Sequence, residues 1–141
     1  MSLLDIKNLT VSFPTRRKTI VAVNAADLEV KPGQIHGLVG ESGAGKSTIG
    51  AAVMGLLDPP GHITGGDIDF HGDVISGLDA EAMRQLRGKK ISMIFQDPLT
   101  SLNPLLTVRQ QLVETILAHL DVTRSEANDR ARALIDRVGI P

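Results

Sequence analysis

The sequence predicts an α/β fold, and three observations carry that expectation. A short apolar run, Ile35-His36-Gly37-Leu38-Val39, leads through a glycine-rich stretch into a proline-free segment of small and aliphatic residues, Lys46 to Leu57. A second compact apolar run, Ile91 to Phe95, ends in a glutamine. Ahead of both lie segments with partial two-residue alternation, the pattern of a sheet with one buried face.

Taken in order, Leu3 to Phe13 reads as one or two strands, because its alternation is broken between Ile6 and Leu9. Pro14 ends it, and Thr15-Arg16-Arg17-Lys18 reads as an exposed turn. Thr19–Val23 and Ala26–Val30 are two further strand segments, closed by the turn dipeptide chemistry of Lys31-Pro32-Gly33. Ile35–Val39 has the continuous apolar character of a strand buried on both faces. Lys46–Leu57 is a helix stopped by Asp58-Pro59-Pro60-Gly61, and Gly66–Phe70 resembles an edge strand. Asp79–Arg87 is a short helix, Ile91–Phe95 a strand, and Asp97–Pro104 a loop with proline near each end. Two helices follow. The first carries Val108, Leu112, Val113, Ile116, Leu117 and Leu120 on one face. The second opens on a capping box, Thr123-Arg124-Ser125-Glu126, and stops at Gly139.

Composition narrows the function classes. The 141 residues are 42% apolar and 22% charged, an ordinary globular balance that argues against disorder. Fifteen basic against sixteen acidic residues give a net charge of −1, so no bulk field recruits nucleic acid or anionic lipid. The absence of cysteine excludes disulfides and thiolate metal sites and fits a reducing compartment. No apolar run approaches the ~20 residues that span a bilayer. A soluble cytosolic domain is the expectation.

The strongest feature is Gly40-Glu41-Ser42-Gly43-Ala44-Gly45-Lys46-Ser47-Thr48, which matches the G-x-x-x-x-G-K-[ST] pattern between an apolar strand and a helix. Its glycines let the backbone curl so that successive N–H groups point at phosphate oxygens. The helix that follows offers its positive end to the same anion. Lys46 is expected between the β- and γ-phosphates, with the Ser47 hydroxyl on Mg²⁺. The competing reading is a glycine turn that happens to precede Lys-Ser. Gln96 has two readings of its own. Its amide reaches a metal or an attacking water near a γ-phosphate, or it is a polar strand-end residue bonded to nearby backbone.

Together, the glycine loop and Phe95-Gln96-Asp97 resemble the ATP-binding-cassette (ABC) ATPases. Gly40-Glu41-Ser42-Gly43 with Gln96-Asp97-Pro98-Leu99-Thr100-Ser101-Leu102-Asn103-Pro104 resembles more narrowly the ATPase subunits of the oligopeptide/dipeptide importer subfamily. Arg87-Gly88-Lys89-Lys90-Ile91 fits the same group, whose members also handle nickel, glutathione or opines. The resemblance implies a P-loop NTPase core of the ABC type with an N-terminal antiparallel β part, interrupted before the end of its helical subdomain. Residues 1–96 would form the first part of the nucleotide-binding core and residues 97–141 the Q-loop and the start of the helical subdomain.

The same resemblance implies the site. Residues Gly40 to Thr48 would bind ATP, Phe13 in Leu9-Thr10-Val11-Ser12-Phe13 would stack on adenine, and Ser47 and Gln96 would hold Mg²⁺. Lys46 and Gln96 would be the residues nearest the chemistry. The rival for Phe13 is a plain core side chain. Membrane-spanning permease subunits would dock through residues 97–120, with Leu99, Leu102 and Leu105 as contacts or as loop residues packed on their own domain. A second ABC ATPase subunit would complete the nucleotide site, and no nucleic acid would be involved. The location would be peripheral, on the cytoplasmic face of the inner membrane. No LSGGQ-like segment, no apolar strand ending in Asp-Glu and no switch histidine occurs, and His36, His62, His71 and His119 match no such position. The parent is therefore expected to hydrolyse ATP, and this stretch alone to bind Mg-ATP weakly, to turn it over negligibly and to associate. A soluble ABC-type ATPase acting on DNA or ribosomes and a stand-alone nucleotide-binding module are the alternatives.

Overall fold

A computed structural model of the chain describes residues 2–97 and 101–140 and divides it into two compact units, Met1–Arg87 and Gly88–Pro141. The first unit is built on an antiparallel sheet. Strand β1, Leu4–Pro14, pairs with β2, Thr19–Val30, on one side and with β3, His62–Phe70, on the other. The two-residue β4, Asp73–Val74, closes the order β2-β1-β3-β4. Gly66–Phe70 is thus the second half of a longer inner strand, not an edge. The two segments expected at 19–30 form one continuous strand.

The break in alternation along β1 has a local cause. The register to both neighbours shifts between residues 6 and 10, where Asn8 takes φ 51°. A bulge of this kind advances the side-chain phase by one residue, so Ile6, Leu9 and Val11 are all buried although Ile6 and Leu9 are three apart. Donors released by the irregularity are satisfied by side chains. The Asn8 N–H donates to Asp27 Oδ1 at 2.7 Å, and the Ala25 N–H to Thr10 Oγ1 at 3.1 Å. Opposite the bulge, Gly66 (φ 77°) lies so close that a Cβ there would stand 2.3 Å from the carbonyl oxygens of Lys7 and Asn8. Only glycine fits. The core is Ile6, Leu9, Val11, Val23 and Ile68 of the sheet, together with Ala52, Met54, Ile75 and Met83.

Two helices belong to this unit. Helix α1, Lys46–Val53, ends earlier than Asp58-Pro59 would require, because Gly55 (φ 60°) closes it. The Gly55 N–H bonds Ala52 O and the Leu56 N–H bonds Ala51 O, the paired bonds of a Schellman end. Helix α2, Ala80–Leu86, is capped by Asp79, whose carboxylate accepts from the Ala82 N–H at 2.8 Å, and buries Met83.

The second unit holds two helices packed on each other, α3 (Val108–His119) and α4 (Arg124–Arg137). Both open on complete capping boxes. The expected one joins Thr123 and Glu126, and a second, not anticipated, joins Thr107 and Gln110. Gly139 (φ 74°) ends α4 as expected. The core of the pair is small, with Val113 and Ile116 packed on Ala127 and Ala131 and flanked by Leu112 and Val122. Val108, Leu117, Leu120 and Leu134 stay exposed, because a two-helix unit covers only the faces turned to each other.

The two apolar runs expected as strands lie outside the sheet. In Ile35–Val39, Ile35 is 100% and Val39 94% exposed; in the second run Ile94 is 98% exposed. A strand buried on both faces takes partner strands to satisfy its backbone. Among the described residues no strand pairs with Ile35–Val39, and the second run is bridged only at Ile91.

Candidate functional site

The glycine-rich loop is positioned by the end of α1 resting on β2. Gly45 is the helix N-cap at φ 83°, and a Cβ there would stand 2.5 Å from Ala22 O and 3.3 Å from Val23 Cγ2. Gly43 takes φ 83° as well, and the Ala44 N–H returns to Glu41 O at 3.2 Å. These two left-handed residues turn the chain back on itself. Gly40 then lies over Ala44, with room for no more than an ordinary contact (3.4 Å from a Cβ to Ala44 Cβ).

Lys46 folds back over this curl. Its Nζ donates to Gly40 O at 2.7 Å and to Glu41 O at 2.6 Å, so the ammonium is held at the loop's centre by backbone carbonyls. The N-terminus of α1 has no side-chain cap and no acidic residue in its first turn. Free N–H groups, a helix positive end and an ammonium therefore converge without a competing carboxylate in that turn. This donor set suits a phosphate chain. Ser47 is exposed at the start of the helix and Thr48 is half-buried. Among the described residues no group of three or more His, Asp or Glu side chains is placed to hold a metal. A hard cation here would thus take its other oxygens from a phosphate ligand and water.

The remaining expected residues fall in two places. Phe13 is half-buried at the end of β1, opposite Ile20 of β2, and its ring presses on Gly61, where a Cβ would stand 2.3 Å from Cε1. Ile20 lies two residues before Ala22, the platform of the loop, about 7 Å along the strand. Gln96 lies exposed in the second unit, one residue past Phe95. Residues 103 and 106 are tied to α3 by side-chain hydrogen bonds. Gln111 of α3 accepts the Asn103 N–H at 2.9 Å and donates to the carbonyls of Asn103 and Leu106, both at 3.1 Å. Leu102 and Leu105 are exposed, and Leu99 lies outside the described residues. A groove of about 530 Å³ lies along α4, between Asn128, Arg132 and the Arg109 side chain of α3. His62 Nδ1 lies 3.1 Å from Pro60 O, His71 packs edge-on against Phe70, and His119 lies against Gly88.

Sequence reasoning missed the supports of the site: Ala22 and Val23 beneath Gly45, and Gly61 beneath Phe13. Ala22 acts through its backbone oxygen, Val23 through a methyl group and Gly61 through the room it leaves the Phe13 ring, and only the glycines give a residue-type signal.

A glycine loop curled on a strand, closed by its own lysine and feeding an uncapped helix, defines a P-loop nucleotide-binding cassette. The ABC transporter family pattern matches residues 23–141, and the chain belongs to that family. It is 42% identical over 141 residues to the dipeptide transport ATP-binding protein DppD of Haemophilus influenzae, covering 100% of this chain and 43% of that protein. Against the oligopeptide transport ATP-binding protein OppD of Escherichia coli it is 41% identical over 140 residues, covering 99% and 41%. The chain thus spans well under half the length of these relatives. The solved dimer of the ATP-binding cassette MJ0796 in a post-hydrolysis state with ADP and Pi shares the fold, with a TM-score of 0.82 at 24% identity, over 94% of this chain and 56% of that one.

Proposed function

We propose that the chain is the ATP-binding part of the energising subunit of a peptide importer. The observation that carries this reading is the loop Gly40–Thr48 with Lys46 already drawn over its carbonyls. The two relatives are a dipeptide and an oligopeptide transport ATP-binding protein, and they supply the solute class. In this reading the loop N–H groups and Lys46 bind the triphosphate, Ser47 and Gln96 meet Mg²⁺, and Phe13 stacks on adenine beside the loop platform. Mg²⁺ would supply charge neutralisation of the phosphates.

Residues 1–96 then serve as nucleotide core and 97–141 as Q-loop and helical subdomain, whose exposed Leu102 and Leu105 meet the permease subunits. A second cassette completes the site, and the protein works peripherally at the inner membrane; no helix among the described residues is long and apolar enough to cross one. The energised step belongs to the full-length protein, and the chain alone binds Mg-ATP weakly with negligible turnover.

Titration with a fluorescent ATP analogue and Mg²⁺ tests the reading. Lys46→Ala should weaken binding by at least about tenfold, the loss of one charge-assisted contact to phosphate. Equal binding by wild type and variant would refute it.

A further inference from the structure

Arg87 sits at the other pole of the helix that carries the loop. The Schellman end of α1 satisfies the carbonyls of Ala51 and Ala52 but leaves those that follow. Two of these are taken by one side chain from outside the helix. Arg87 Nε donates to Met54 O at 2.7 Å and Nη2 to Gly55 O at 2.9 Å. The last turn of α1 holds no basic residue of its own, so this guanidinium is the cation at its negative end.

Arg87 is itself well anchored. It is the C-cap of α2, its N–H bonded to Met83 O at 3.0 Å, and the buried Met83 side chain approaches Gly55 (Cε 3.3 Å from a Cβ there). Helix α1 has eight residues and is about 12 Å long. It is seated on Ala22 at Gly45 and pinned at Met54 and Gly55 by Arg87. A displacement at the pinned end of so short a rod tilts it about its seat at Gly45 and re-aims the N–H groups at the loop end.

We propose that Arg87 is a positioning residue for the phosphate-binding loop, holding α1 in the axial position and orientation that aims its N-terminus at the ligand. The proposal rests on the reading that α1 meets a nucleotide phosphate. Arginine is required because two donors of one rigid plane meet two successive carbonyls, whereas a lysine ammonium concentrates its charge at one point.

The test measures affinity for the fluorescent ATP analogue with Mg²⁺, and melting temperature, on the intact chain and four variants. Arg87→Met, which keeps the apolar stem, should weaken binding roughly three- to tenfold, as expected for charge-assisted bonds at a partly exposed site. Arg87→Lys should recover part of the loss. Met83→Ala loosens the same α2–α1 contact without touching the carbonyls; it should lower the melting temperature at least as much, yet change affinity less than about twofold. The proposal fails if Arg87→Met binds as wild type, or if Met83→Ala loses affinity in proportion to its melting temperature. Should Arg87→Met not fold, Arg87→Lys decides, and wild-type affinity in that variant overturns the proposal. Failure of the nucleotide reading shows separately, as identical binding by wild type and Lys46→Ala, and would take this inference with it.

Discussion

The two units hold themselves together by different means. In Met1–Arg87 the buried residues come from distant parts of the chain: Ile6 of β1 and Ile68 of β3 are paired in register across an interval that includes the whole glycine-rich loop. In Gly88–Pro141 almost everything is local. Two capping boxes, one Schellman end and a four-residue core half made of alanine account for the helix pair. The loop that needs sub-ångström placement is thus carried by the unit with the non-local core. The unit proposed to meet other subunits is the one built from short-range signals.

The largest effect expected from this contrast is in the sheet. Leu9→Ala removes a fully buried side chain from between two strands and should cost about 3 kcal/mol in denaturant unfolding of the first unit. A cost below about 1 kcal/mol would mean that the sheet is not where this unit's stability resides. A smaller effect should follow in the helix pair. Thr123→Ala deletes the acceptor of the Glu126 N–H and should cost about 1 kcal/mol, read as faster amide exchange through the first turn of α4. Unchanged exchange there would show that packing alone holds the turn.

The smallest effect is acid sensitivity. Glu126 accepts from the Thr123 N–H and hydroxyl at 2.8 Å, and the backbone bond, then the hydroxyl bond, hold its carboxyl below the ordinary value of 4.5. Because the folded value is depressed, this contribution is complete above about pH 4.5 and fades as pH falls through the folded pKa. Glu81 behaves likewise in α2, where the hydrogen bond from Arg84 lowers it to about 2. Helical signal should therefore decline slightly on acidification below about pH 4.5, and Glu126→Gln, which preserves the box without a titrating group, should flatten the α4 part of that decline. A wild-type slope in Glu126→Gln would remove the carboxylate from the account.

Much of this was legible in the chain because the signals are local. The α4 capping box, the Gly139 stop and the curl of Gly40–Lys46 all depend on a few consecutive residues. Strand identity was less legible. Ile35–Val39 and Ile91–Phe95 have the composition of buried strands, yet a strand exists only when another backbone pairs with it, and composition names no partner. Helix α1 was expected to run to Asp58-Pro59, but the glycine at position 55 met Arg87 and Met83 and ended it earlier.

By itself the sequence determined the glycine-rich pattern of Gly40–Thr48, the presence of the helices, the cap and stop of α4 and the family to which the chain belongs. These rest on backbone preferences and side-chain spacings that act within a turn or two. Only the tertiary structure decided that a bulge at Asn8 buries both Ile6 and Leu9, that Gly45 rests on Ala22, and that Arg87 reaches across to the end of the loop helix. Those contacts join residues far apart in sequence, and which atoms meet is set by the packing of the whole unit.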